Sequence, residues 1–303
     1  MTGLAALRGG LRRLLEARER VVGINRRNVV LVYPNNDRHH FPFADDKLLA
    51  KQVFAARGVP VPETLAVCEG LFAVPDVVDR LRGQHRFVVK PSNGAGGAGI
   101  LVVGEWTEER GVWVRAGGRE ITPVQLQRHL ADVVFGVYSN QLEDRAFVER
   151  RVEPHPVFAG LWADGLCDVR VITLRTVPVL SMIRVPTRES GGRANLHQGG
   201  LGIAVDLAAG RTFRALHHGR PVERHPESGA PLLGLEVPAW TEVLDVSRRA
   251  AAAVPLGYLG VDVVVDRERG PLVLEINARP GLEIQNVNAI GLGPALARAG
   301  VSP

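Results

Sequence analysis

The chain has 303 residues, 46% hydrophobic and 23% charged, which is enough for a sizeable core in one enzyme-sized unit or two to three tightly joined domains. A net charge of +5, carried mainly by arginine, suits an acidic or phosphorylated substrate. Nucleic acid is not expected, because the arginines are dispersed and no helix-turn-helix, zinc-finger or aromatic-rich RNA-binding signature is present. Cys68 and Cys167, far apart and without ligand spacing, speak against a disulfide framework or a zinc site. With no apolar run of spanning length and no signal-peptide core, the expected location is cytoplasmic.

In chain order, Leu4, Leu7, Leu11, Leu14 and Leu15 fall at helical spacing in an Arg-rich stretch, predicting a basic surface helix up to Arg20. Asn25–Phe43 reads as irregular apart from a short strand at Val29–Tyr33. Ala44–Arg57 reads as a helix stopped by Gly58 and Pro60, with Asp45 and Asp46 in its first turn, where the helix dipole favours anions. A helix over Pro75–Arg82 leads to strands at Arg86–Lys90, Ile100–Val103 and Val112–Arg115. Thr122–Val134 is a helix with Thr122 as cap and Pro123 first. Strands follow at Ala146–Glu149, twice between Cys167 and Arg184, and as a hairpin of Ile203–Asp206 with Arg211–Ala215. His217–Pro231 reads as a loop whose three histidines are solvated rather than metal-binding. A helix over Trp240–Val254 and another near Pro294–Ala299 bracket one more hairpin.

That hairpin, within Gly260–Gly281, carries the chemistry. Val261–Asp266 and Pro271–Asn277 flank a short polar loop, and pairing Asp266 with Pro271 sets Asp262 opposite Glu275, with Asn277 on the face of Glu275. Two readings stand: a site for a hard cation such as Mg²⁺, or exposed strand-end carboxylates beside a turn Asn. A second stretch, Gly94–Gly99, formally satisfies G-x-G-x-x-G, yet a strand and not a helix follows it, which excludes a dinucleotide fingerprint. A strand ending in Lys90, then a Gly-rich turn, then another strand suits phosphate cradling, with a plain flexible hairpin as the alternative.

Taken together, DDKLLAKQ, FVVKPSNGAGGAGI, FVERRV, DVRVIT, RANLHQGG, GVDVVVD and LVLEINARPGL, from about Asp45 to Gly281, resemble the ATP-grasp carboxylate–amine ligases, in particular the RimK-like α-L-glutamate ligases and their related branch. The resemblance implies an α/β (α+β) ATP-grasp fold in which two α+β subdomains clasp ATP. Residues 1–44 then form an N-terminal helix and irregular segment, 45–148 a lid-side subdomain, and 149–303 a C-terminal subdomain with the metal site. Lys47 and Lys90 resemble the lysines that touch ATP phosphates, under a lid at Gly94, Gly96, Gly97 and Gly99. Glu149, Arg150, Arg151 and Val152 resemble the hinge whose backbone reads adenine, and Asp168 the acid that binds ribose. Arg170 resembles a substrate or phosphate contact, Arg193 and Asn195 the pair that meets the γ-phosphate and the transferred group, and Asp262, Glu275 and Asn277 the magnesium triad. His197 stands in a matching motif without an assigned role.

The activity implied is an ATP- and Mg²⁺-dependent ligase, with Mn²⁺ as a substitute metal. It activates a carboxylate, such as L-glutamate, as an acyl phosphate and joins it to an amine of a small molecule, peptide or protein. An ATP-grasp phosphotransferase and a non-catalytic nucleotide sensor are the alternatives, and a homo-oligomer is compatible with the family. One departure stands out: 46 residues precede Lys47, fewer than the complete α/β domain many ATP-grasp ligases carry there, so an abbreviated N-terminal region is expected to take its place.

Overall fold

The computed structural model describes residues 21–94, 96–115 and 118–302, and the helix expected over residues 4–20 lies outside the described residues. No helix among them is long and apolar enough to cross a membrane. Two antiparallel sheets carry the architecture. The first comprises β1 (Thr64–Cys68), β2 (Phe87–Pro91), β3 (Leu101–Thr107), β4 (Val112–Arg115), β5 (Glu120–Ile121) and β6 (Ala146–Arg150) in the order β1-β6-β2-β3-β4-β5. The second comprises β7 (Asp168–Leu174), β8 (Val177–Val185), β9 (Leu201–Val205), β10 (Thr212–His217), β11 (Arg220–Pro221), β12 (Tyr258–Asp266) and β13 (Gly270–Asn277) in the order β11-β10-β9-β8-β7-β12-β13. The division expected between residues 148 and 149 falls inside β6.

Among the described residues, the main helices on these sheets are α1 (24–35), α2 (Lys47–Ala56), α3 (Val74–Leu81), α4 (Pro123–Val134), α5 (Pro156–Leu161), α6 (Trp240–Ala253), α7 (Glu283–Asn288) and α8 (Leu292–Arg298). On the first sheet, Val77, Val78 and Leu81 of α3 and Leu126, Leu130 and Val133 of α4 bury Phe87, Val89 and Val148. α4 is fixed at its start by a full capping box, in which the Gln125 N–H donates to Thr122 Oγ1 and the Thr122 N–H to Gln125 Oε1. Strand alternation sends Lys90, Phe147 and Glu149 to the opposite face. On the second sheet, α2, α5 and α6 bury Val169, Val171, Ile183, Val261 and Val263 on one side. On the other side, α1, α7 and α8 cover Ile172, Leu174, Met182 and Tyr258. Asp168, Arg170, Arg184 and Asp262 alternate onto that second side and carry its polar stretch.

Four expectations require correction. Residues 29–33 are helical, not a strand: the neighbours Leu31 and Val32 are buried together while Val29 and Tyr33 are 62% and 66% exposed, a one-sided helical pattern rather than alternation. The surrounding segment is therefore helical through much of 24–45, not irregular. The helix expected over 44–57 is broken at Asp46, whose extended backbone (φ −96°, ψ 102°) ends Pro42–Asp45 and caps α2 by accepting the Leu49 N–H at 3.0 Å. β1, β5, β11, α5 and α7 have no counterpart among the expected elements. The hairpin register differs too: Asp266 faces Gly270, and a bulge leaves Leu274 unpaired, which restores Asp262 opposite Glu275.

Candidate active site

The polar stretch of the second sheet is built by register. β7 lies between β12 and β8, so Arg170 stands beside Asp262 and Asp168 beside Arg184. Arg170 grips Asp262 with two bonds, Nε to Oδ1 at 2.7 Å and Nη2 to Oδ2 at 2.6 Å. Arg184 grips Asp168 the same way at 2.6 and 2.7 Å, and its Nη2 also donates to Asp262 Oδ2 at 2.8 Å. The Asn277 amide donates to the same Asp262 oxygen at 3.1 Å. Asp168 and Arg170 are thus not each other's partners. Burial alone would raise the Asp262 carboxyl, but Arg170 and Arg184 outweigh it and hold it down to about 2. Asp168 goes the other way, up to about 6, because burial and the neighbouring Asp262 charge outweigh Arg184.

The sequence holds 37 basic side chains, yet only Lys47, Lys51 and Lys90 are lysines, and all three meet at the seam between the sheets. α2 makes that seam. Its Asp46 cap accepts from Ser92 Oγ at the end of β2 and from Arg145 at the start of β6, and the Lys47 N–H donates to the Ser92 carbonyl at 2.9 Å. Burial would raise Asp46, but Ser92, the Leu49 N–H and Arg145 bring it below the ordinary range. From this anchor Lys47 Nζ donates to the Gly94 carbonyl and stands 4.0 Å from Glu275 Oε2. One turn on, Lys51 Nζ reaches Glu149 Oε2 at 2.5 Å, while Lys90 pairs with Glu149 Oε1. Glu149 is 4% exposed; burial would raise it, but Lys90 and Lys51 bring it below the ordinary range. Burial lowers Lys51 and outweighs Glu149, with the neighbouring Lys90 charge acting in the same direction as burial.

The glycine loop is seated rather than free at its ends. Asp144 accepts from the Asn93 backbone N–H at 3.1 Å and from Asn93 Nδ2 at 2.9 Å, which pins the loop's entry. Gly97 (φ +78°) lies so close to Arg193 that a Cβ would come within 3.1 Å of its Nε, and Gly99 (φ +72°) so close to Tyr138 that a Cβ would fall 2.6 Å from Cγ. Arg193 is exposed, and the Asn195 side chain caps the turn Leu196–Gln198 by accepting the His197 N–H at 3.0 Å. In the segment expected as the hinge, the N–H groups of Arg150 and Arg151 are spent on the carbonyls of Glu63 and Arg86, and their side chains pair with Glu63 and Glu153. Val152 packs instead with Val264 and Leu272, beside Leu166 and Leu274.

The structure therefore links Asp168, Arg170, Asp262, Asn277 and Glu275 in one network, with Lys47 4.0 Å from Glu275, Lys90 and Glu149 in a second contact, and Gly97 with Arg193. Arg150 and Arg151 bond to Glu63, Arg86, Glu153 and Arg269, outside these groups, and the Asn195 side chain caps its own turn. Sequence reasoning missed Arg184 and Lys51. The first is signalled by the β7–β8 hairpin, which sets Asp168 opposite Arg184, and the second by its i+4 spacing from Lys47. The His217–Pro231 expectation is corrected: His225 is 1% exposed, stacked on Trp162 at 5.0 Å, with Nε2 3.0 Å from the Pro186 carbonyl. His217 and His218 gather instead with Glu189, one donor atom of each lying within 4.8 Å of the others.

Two antiparallel sheets joined by a lysine-bearing helix, with a glycine loop on one sheet and an Asp/Glu/Asn hairpin on the other, define the ATP-grasp class. Within it, the chain belongs to the sugar-transfer associated ATP-grasp family, whose model matches residues 26–300. Among named relatives, a probable alpha-L-glutamate ligase of Xanthomonas oryzae pv. oryzae is 27% identical over 84% of this chain and 64% of its own length. The ribosomal protein bS6–L-glutamate ligase of Escherichia coli is 25% identical over 88% of this chain and 66% of its own. The chain thus spans about two thirds of the length of these relatives. The fold is shared with a biotin carboxylase of Campylobacter jejuni, solved as a βγ-ATP complex, at a TM-score of 0.53 and 15% identity over 87% of this chain and 48% of that one.

Proposed function

We propose that the chain is an ATP- and Mg²⁺-dependent carboxylate–amine ligase that forms an amide bond through an acyl phosphate. The observation that carries the reading is the convergence of the chain's only three lysines on Glu149 and Glu275, beside a glycine loop. Lys47 and Lys90 meet the phosphates, and the loop Gly94–Gly99 lies over them. The Val152 backbone and the apolar cluster of Val264 and Leu272 form the purine slot, and Asp168 serves the ribose end.

The donor set fits a hard cation. Glu275 keeps 34% of its side chain exposed, and with its amide nitrogen turned to Asp262, Asn277 has a carbonyl oxygen to offer. Glu275 and Asn277 would hold Mg²⁺, with Asp262 behind them, its oxygens taken by Arg170, Arg184 and Asn277. When bound, the ion supplies charge neutralisation of the phosphates. Arg193, above the loop, and Arg170 oppose charge developing on the transferred phosphoryl group. The seated loop keeps water from the activated carboxylate, which the amine then attacks, releasing phosphate. No side chain need act as a covalent nucleophile. The names of the relatives support L-glutamate as the amino acid, and an amine on a small molecule, peptide or protein as acceptor.

Calorimetric titration with ATP tests the site. Binding is expected to require Mg²⁺, and Glu275→Gln to weaken it by roughly tenfold or more, as loss of a charged ligand does. Mg-ATP affinity unchanged by Glu275→Gln would refute the metal assignment.

A further inference from the structure

Glu149 is a buried carboxylate with two ammonium groups and no role in the proposed chemistry that needs both. Each oxygen has its own partner: Oε2 takes Lys51 and Oε1 takes Lys90. The two lysines are not equivalent. The Lys51 side chain is 9% exposed, with Nζ 5.4 Å from the centroid of the Phe147 ring, whereas that of Lys90 is 14% exposed at the strand end facing the glycine loop. A single carboxylate neutralises one cation, so the triad carries an uncompensated positive charge suited to an anion.

We propose that Lys51 is a positioning residue, the standing counter-ion of Glu149 that frees Lys90 to leave Glu149 for the phosphates of ATP. The inference rests on the nucleotide reading above. A buried carboxylate that loses its only partner is strongly disfavoured. With Lys51 in place, Glu149 keeps a partner when Lys90 moves. Without it, Lys90 is the sole partner and is held back from the phosphates. The residue type agrees: in a chain that uses arginine nearly everywhere else, these sites retain the compact point charge on a flexible stem.

The test measures Mg-ATP affinity of the full chain with Lys51→Met and with the double variant Lys51→Met/Glu149→Gln. Lys51→Met is expected to bind at least tenfold more weakly. The double variant should regain most of the loss, because a neutral amide in place of the Glu149 carboxylate no longer holds Lys90. A role in packing alone predicts no such rescue. Selective carbon-13 labelling of lysine gives an independent readout in the unaltered chain, since it has only three lysines to resolve. On adding Mg-ATP, the Lys90 side-chain signal should move and that of Lys51 stay. Undiminished affinity in Lys51→Met, no rescue in the double variant, or a Lys51 signal that moves as far as that of Lys90 would overturn the inference. A wild-type chain that binds no ATP would instead overturn the nucleotide reading on which it rests.

Discussion

Asp266 shows how a single residue ties the β12–β13 turn to the segment that follows β6. Its carboxylate, on a side chain 3% exposed, accepts the N–H groups of Glu153, Glu268 and Arg269, each at 3.0 Å, and Arg269 Nη2 at 2.7 Å. Burial would raise its pKa, but Arg269 and the backbone donors hold it well below the ordinary carboxylate range. A carboxyl depressed in the folded state stabilises above its unfolded pKa, near 4, and loses that contribution as pH falls toward its folded value. Asp266→Asn should therefore be about 2 kcal/mol less stable than wild type at neutral pH. The difference should narrow steadily below about pH 4, as followed by urea unfolding at each pH. A gap of constant size across that range would contradict the assignment. At this scale the sequence was partly legible. Spacing alone put Asp168 and Arg170 on one strand face. Their true partners sit on neighbouring strands: the β7–β8 hairpin signals Arg184 for Asp168, whereas Asp262 beside Arg170 depends on a long-range register that no local pattern carries.

Among the elements, the glycine loop makes the sharpest demand on sequence. Gly99 has both a left-handed backbone and no room for a side chain against Tyr138. Gly99→Ala would cost about 1 kcal/mol in backbone strain and push the loop off Tyr138. Because the loop is proposed to lie over the nucleotide and not in the core, the loss should appear in kcat/KM for ATP, on the order of tenfold to a hundredfold, with a small change in Tm. Adding Tyr138→Ala should restore part of it. Full activity in Gly99→Ala would show that the loop has another seat. Elements with strong local signals were readable: α4, with its Thr cap and Pro start, lies where expected. Residues 29–33 were not, since a β-branched run suggests a strand until packing of Leu31 and Val32 against the second sheet imposes a helix. The hairpin pairing of Asp262 with Glu275 was foreseen, but the bulge at Leu274 that produces it was not.

For the molecule as a whole, α2 is the strut on which function turns, because one helix sends Lys51 to the first sheet and Lys47 toward the second. The ordered motifs made the family legible from sequence, since strand-end lysine, glycine loop and hairpin carboxylates are local patterns. The seam they create is not local: it depends on Asp46, Ser92 and Arg145, distant in sequence, locking α2 between β2 and β6. Acyl-phosphate chemistry is what this seam is proposed to serve, and a hydroxylamine trap tests it most directly. The chain is incubated with Mg-ATP, hydroxylamine and pooled carboxylates that include all amino acids, and the products are followed by mass spectrometry. Hydroxylamine stands in for the amine, so only the carboxylate must be supplied. A hydroxamate formed together with ADP and phosphate, and lost in Glu275→Gln, is the predicted result. A phosphorylated product with no hydroxamate would contradict the ligase reading and make the protein a phosphotransferase.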